Sequence, residues 1–192
     1  VVDDWNNWSF SKRPGGTPGG DPMLSVETPV ASPEVNLTSG IVLLDYGDIW
    51  KYNEDNRNLG TGWRRTTYSD ASWKSGPGLL GLENSALPDP GIKTEINKGN
   101  QLCYYFRKKF TYNGDPSDVT LTIDQIVDDG AVYYLNGTEV GRSRMPGGAV
   151  SFTTRTSATV GNATEEKGVV TIGPGTLKNG SNILAVEVHQ TN

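Results

Sequence analysis

The residues that could do chemistry in this chain are few. Asp128-Asp129-Gly130 stands directly before an apolar run. Two adjacent loop carboxylates suit a hard cation that takes oxygen ligands, so Asp128 and Asp129 are the candidate metal ligands and calcium the candidate cofactor. The plainer reading is a tight turn whose Asp side chains accept hydrogen bonds from nearby backbone. Trp50, Trp63 and Trp73 could form a platform for stacking on sugar rings. Trp73 reads as core, and Trp63, in a glycine-rich loop, is the better platform residue. His189 is the sole histidine and Cys103 the sole cysteine. A multi-histidine zinc site is therefore excluded, and no cluster of thiolates can replace it. A Ser-His-Asp triad would have to use His189, and no Gly-x-Ser-x-Gly elbow occurs. His189 reads as a strand residue at a sheet edge. Cys103, inside Leu102-Cys103-Tyr104-Tyr105-Phe106, reads as a small buried hydrophobe. No phosphate-cradling Gly-x-x-x-x-Gly-Lys motif is present. A two-carboxylate glycosidase stays open, because acid/base pairs are set by separation in space. The expectation is a chain that binds or assembles and does not catalyse.

Those residues need a scaffold, and composition points to strands. The 192 residues include 24 glycines and 11 prolines, which favours short strands joined by turns over a helical bundle. Five of the prolines fall within residues 1–40, and the run Arg13-Pro14-Gly15-Gly16-Thr17-Pro18-Gly19-Gly20-Asp21-Pro22 can be neither helix nor central strand. Residues 1–40 read as an extended arm or linker, and residues 41–192 as one domain. Its expected strands are Ile41–Leu44, Ile49–Tyr52, Leu102–Thr111, Val119–Ile123, Ala131–Leu135, Thr138–Val140, Val150–Thr154, Gly168–Ile172 and Asn182–His189. Asn136-Gly137 between two of these runs predicts a hairpin, since both central residues of that turn need positive φ. In the last strand Leu184, Val186 and Val188 share one face and Ala185, Glu187 and His189 the other. Tyr68–Trp73 reads as one short helical turn that Asp70 could cap. The prediction is an all-β antiparallel sandwich or jelly roll.

The net charge of −5 and the absence of a basic face argue against nucleic acid as a partner. No run of about 18 apolar residues exists, so no membrane span is predicted. Val1 is not an initiator methionine and no signal peptide is visible, so the chain reads as processed or excised. Five Asn-x-Ser/Thr sequons, at Asn7, Asn36, Asn136, Asn162 and Asn179, fit a surface-exposed protein.

Three segments carry a family resemblance. The first joins Gly62-Trp63-Arg64, Tyr68-Ser69-Asp70-Ala71-Ser72-Trp73 and Gly76-Pro77-Gly78-Leu79-Leu80-Gly81. The second is Tyr104-Tyr105-Phe106-Arg107-Lys108-Lys109-Phe110. The third runs from Asp128 to Val140 and is closed by Asn182–Gln190. Over residues 45–190 the chain resembles the galactose-binding-domain-like sandwiches of large secreted bacterial proteins. More distantly it is similar to the sugar-binding sandwich of β-galactosidase-type glycoside hydrolases. The Pro-Gly-Gly-Thr-Pro-Gly-Gly run of the arm is similar to the tail of lamin-tail-type domains. By fold analogy Tyr52, Arg64 and Glu83 would line the same loop end as Trp63. The Asp-Asp pair resembles the one with which yeast flocculation-type lectin domains hold calcium and sugar together.

The resemblance implies an extracellular or cell-surface, carbohydrate-binding module with a glycan as partner. It also implies a rival reading. Family members continue past the His-Gln stretch into one more strand, whereas this chain stops at Asn192. An open sheet edge would invite another strand. The arm of one copy could supply it, making the chain a subunit of an extracellular filament or surface homopolymer joined by strand complementation.

Overall fold

The structure is a computed structural model that describes residues 40–83, 87, 89–97 and 99–191. The expected arm, residues 1–40, lies outside the described residues except for Gly40.

Ten strands and one 3₁₀ turn make up the described chain: β1 (Ile49–Asn53), η1 (Gly62–Arg64), β2 (Lys74–Pro77), β3 (Leu80–Gly81), β4 (Thr94–Glu95), β5 (Cys103–Tyr112), β6 (Leu121–Gln125), β7 (Gly130–Leu135), β8 (Thr138–Ser143), β9 (Glu166–Ile172) and β10 (Gly180–His189). The main sheet has the order β2-β1-β5-β10-β7-β8 and every pairing in it is antiparallel. A second, two-stranded antiparallel sheet is formed by β6 and β9, and β3 and β4 pair in parallel. This is an all-β sandwich.

The period-two pattern of the long strands decides what each face does. On one face of the main sheet Cys103, Tyr105, Val132, Tyr134, Ile183 and Ala185 pack under Trp63, Trp73 and Met145. On the other, Ala131, Tyr133, Leu135 and Val186, with Phe106, Phe110 and Val188, pack against Val170 and Ile172 of β9 and Leu121 and Ile123 of β6. The main sheet is thus covered on both sides, and all six residues of β7 are buried. Each large apolar side chain so buried contributes about 1.5–3 kcal/mol. The two sheets meet closely at Gly141 of β8, where a Cβ would lie 2.6 Å from Val170 Cγ1.

The Asn136-Gly137 hairpin forms as expected, with φ of 54° and 92° at its two central residues. The Asn136 side chain is also built into the fold. Its Nδ2 donates to the Thr176 carbonyl at 3.0 Å and to Asn182 Oδ1 at 2.8 Å, and its Oδ1 accepts the Ile183 amide at 3.0 Å.

Several expectations are corrected. Residues 41–44 form no strand, and Ile41 and Val42 are exposed. Residues 150–154 form a turn closed by the Thr154 amide on the Ser151 carbonyl. Residues 68–73 also form a turn and not a helix, and Asp70 pairs with Arg107 of β5 at 2.8 Å instead of capping. His189 is not at a sheet edge. It lies in β10, which is flanked by β5 and β7, and it is fully buried.

Candidate cleft beside Asp128 and Glu83

A cleft of about 340 Å³ opens on the β6–β9 side of the main sheet. Its floor comes from alternate residues of two central strands, Tyr104 and Phe106 of β5 and Val188 of β10. Its walls come from the β3–β4 segment, with Leu80, Glu83, Ile92 and Asn97, and from Ile126, Val127 and Asp128 ahead of β7. Gln101 and Gln190 add amides. The Tyr104 hydroxyl donates to the Asn97 carbonyl at 2.9 Å. Gln101 Nε2 donates to the Glu54 carbonyl at 2.8 Å, while its Oε1 is buried without a hydrogen-bond partner. The result is an apolar floor rimmed by carboxylates, amides and a phenol, at the small end of the range of ligand pockets.

The two aspartates that precede β7 have separate tasks. Asp129 Oδ1 accepts the Val160 amide and Oδ2 the Thr191 amide, each at 2.8 Å. Asp129 therefore ties two distant loops to the start of β7. The sequence allowed for a turn in which Asp binds nearby backbone, but these partners lie 31 and 62 residues away. Burial alone would raise the Asp129 carboxyl, yet the two backbone donors and the Asp128 side chain hold it below its ordinary value. Asp128 lines the cleft with its carbonyl held by Gln190 Nε2 at 2.8 Å. Burial, then the hydrogen bond and charge of Asp129, then the charge of Glu83, push its carboxyl up to about 6. Arg144 closes this end of the sandwich. It donates to Glu166 of β9 at 2.7 and 2.8 Å, to the Val127 carbonyl at 2.9 Å and to the Asp129 carbonyl.

The other predicted ligand residues do not gather at one loop end. Trp63 is completely buried, edge-on to Tyr105 with centroids 4.8 Å apart and edge-on to Tyr134 at 5.9 Å. It offers no face for a sugar, because the glycine-rich loop folds it inward as the centre of one core layer. Arg64 stacks over Tyr134 at 4.1 Å and pairs with Glu187 at 3.3 Å. Tyr52 is buried in β1 opposite Phe106 of β5. Of the four, Glu83 alone lines the cleft, and Asp128 joins it there. A second depression, of about 510 Å³, is lined by Trp50, Tyr68 and several cations. There Arg107 is engaged by Asp70, Lys108 by Asp48 and Lys51 by the Trp73 carbonyl.

Sequence reasoning missed two buried polar centres. Arg107 is 2% exposed and donates to Asp70, to the Trp63 carbonyl, to the Arg65 carbonyl at 3.2 Å and to the Tyr68 carbonyl at 3.5 Å. Glu187 accepts the Tyr134 hydroxyl at 2.5 Å beside Arg64. A charged residue on the inward face of an alternating strand was the available signal in both cases.

No family model matches the chain, and no curated protein matches it. Solved structures that resemble part of it include a calcium-binding mutant of Bacteroides uniformis β-glucuronidase 2, with 16% identity over 76% of this chain and 14% of that one and a TM-score of 0.46. A β-glucuronidase from glycoside hydrolase family 2 shares 18% identity over 75% of this chain and 13% of that one, with a TM-score of 0.44. A Ruminococcus gnavus β-glucuronidase in complex with uronic deoxynojirimycin shares 12% identity over 78% and 22%, with a TM-score of 0.46. This chain spans less than a quarter of any of these proteins, and the likeness is too slight to bring their activity to it.

Proposed function

We propose that this chain is a non-catalytic, extracellular carbohydrate-binding module whose sugar site is the cleft beside Asp128 and Glu83. The observation that carries the reading is the make-up of that cleft. Two carboxylates and the amides of Asn97, Gln101 and Gln190 rim an apolar floor that includes Tyr104 and Phe106. Sugar hydroxyls need acceptors and donors at the rim, and the C–H face of the ring needs an apolar surface. Calcium belongs to the proposal because Asp128 and Glu83 bring two hard oxygen ligands to the same cleft. The test is a glycan array followed by calorimetry, run with calcium and with a chelator. Binding that falls at least tenfold in Asp128→Asn and in Glu83→Gln supports this site. A screen without a hit in either condition removes the reading.

One observation favours the filament reading. The main sheet has six strands and the β6–β9 sheet two, so β6 and β9 each keep one edge without a strand partner among the described residues. An extended segment of another copy could add there, with residues 1–40 as the donor. Electron microscopy and mass determination of the full chain and of a chain lacking residues 1–40 separate the cases. Polymers from the truncated chain would sink the arm-donor reading.

A further inference from the structure

Three ligand-type atoms converge in the buried layer on the face of the main sheet away from the cleft. Cys103 Sγ lies 3.7 Å from His189 Nε2, and His189 Nε2 lies 3.6 Å from Glu187 Oε2. All three atoms fall within 4.8 Å of one another. The register explains the convergence. His189 of β10 stands directly opposite Cys103 of β5, and Glu187 is two residues back on the same face. All three residues are at least 98% buried.

Apart from the Tyr105 hydroxyl, which hydrogen-bonds the Cys103 sulfur, few donors reach the triangle. His189 Nδ1 lies 2.8 Å from the Thr154 carbonyl, which can only accept, so Nδ1 carries the hydrogen. In the neutral ring Nε2 is then a lone pair aimed at the other two atoms. Glu187 Oε1 is taken by the Tyr134 hydroxyl and Arg64, whereas Oε2 faces Nε2 at a separation too long for a hydrogen bond. The thiol has one hydrogen and two acceptors at 3.7 Å, the Tyr104 carbonyl and His189 Nε2. The Nε2 and Oε2 lone pairs and the sulfur thus converge in a buried layer, an arrangement that a cation would satisfy.

We propose that Cys103 Sγ, His189 Nε2 and Glu187 Oε2 form a buried binding site for a thiophilic divalent transition metal of the Zn(II) class. Metal–ligand bonds of about 2.0–2.3 Å in tetrahedral geometry separate the ligand atoms by roughly 3.3–3.8 Å, which the separations of 3.7 and 3.6 Å match. Mixed thiolate and imidazole donors select zinc-like ions over calcium and magnesium. The hydrogen bond from Nδ1 to the Thr154 carbonyl is the outer contact that metal-bound histidines ordinarily make. On binding, the S–H bond breaks heterolytically, sulfur keeps the electron pair and bonds the metal, and one proton leaves to solvent. Thiolate and carboxylate then offset part of the combined charge of the metal and of Arg64, which pairs with the other oxygen of Glu187. No oxidation state changes. This site is independent of the cleft, and its failure leaves the sugar-binding reading untouched.

The test uses the full chain, unfolded and refolded with Co(II) as probe, because the site is closed in the folded state. One Co(II) per chain should give a near-ultraviolet thiolate-to-cobalt charge-transfer band that Zn(II) abolishes. The band should be absent in Cys103→Ser and at least tenfold weaker in His189→Gln, with circular dichroism confirming that each variant is folded. For the unaltered chain, Zn(II) at about a hundredfold its Kd should raise the melting temperature by roughly 5–10 °C, and a chelator should reverse the rise. A refolded wild-type chain with no band and no chelator-sensitive melting shift overturns the proposal without any variant. A band that persists in Cys103→Ser overturns it as well, by placing the metal elsewhere.

Discussion

Replacing Arg107 with methionine should be among the most damaging single changes in the sandwich. The guanidinium is 2% exposed and holds residues 62–70 against β5 through Asp70 and the carbonyls of Trp63, Arg65 and Tyr68. It also stacks on Tyr68 at 5.3 Å. Arg65 is exposed, so its carbonyl can turn to water. Trp63 is buried, and a buried carbonyl left without its donor costs about 1–3 kcal/mol. The lost charge-assisted bond to Asp70 adds roughly 1.5–3 kcal/mol, toward the low end because Asp70 is 29% exposed and can rehydrate. Methionine recovers part of the packing, which leaves a net loss of about 3–5 kcal/mol, the range found when one partner of a buried pair is removed. At a slope near 2 kcal/mol per molar urea, the unfolding midpoint should fall by about 1.5–2.5 M. Asp70→Asn keeps the three carbonyl contacts and should cost only about 1 kcal/mol. Urea titrations followed by tryptophan fluorescence read both variants. A midpoint drop below about 0.5 M for Arg107→Met, or equal drops for the two variants, would refute the view that Arg107 organises this loop.

Other consequences can be measured on the same chain. Hydrogen bonds from Arg144 and Gln125 hold the Glu166 carboxyl below its ordinary value of 4.5. A depressed carboxyl stabilises the fold above its unfolded pKa and loses that contribution as pH falls through the folded one. Melting temperatures taken from pH 7 down to pH 3 should therefore decline less below about pH 4.5 in Glu166→Gln than in the unaltered chain. Gly141→Ala forces a Cβ against Val170 and should cost about 1–3 kcal/mol by chemical denaturation. Asn136→Ala strips the Ile183 amide of its side-chain acceptor and should cost about 1–3 kcal/mol, read as a lower melting temperature. Because that side chain is occupied on three sides, peptide mapping after expression in a glycosylating host should find Asn136 unmodified in the folded protein.

Much of the fold could be read from period-two patterns. Leu184, Val186 and Val188 against Ala185, Glu187 and His189 in β10, and the Asn136-Gly137 turn, follow from local chemistry alone. Ile41–Leu44 and Val150–Thr154 have strand-like composition but no strand partner among the described residues, since local propensity sets what a segment can do and pairing sets what it does. The site was less legible. Trp63 looked accessible because it follows Gly60-Thr61-Gly62, yet the indole is fully buried. Asp129 read as a turn former or a cation ligand, and its carboxylate accepts the amides of Val160 and Thr191, which only the folded topology brings near. Cys103 and His189 are 86 positions apart, and nothing short of the β5–β10 register places them side by side.

The central position of β10 has a consequence in time. It pairs with β5 on one side and β7 on the other, yet it follows both in chain order. While the polypeptide is being made, β2-β1-β5 and β7-β8 can exist only as separate half-sheets with facing unsatisfied edges. β10 begins at Gly180, β5 ends at Tyr112 and β7 at Leu135, so at about 5–20 residues per second the β5 edge stays open for roughly 3–14 s and the β7 edge for roughly 2–9 s. β10 is the strand that joins both halves in the finished sheet. During that interval the nascent chain is most exposed to pairing with a neighbour.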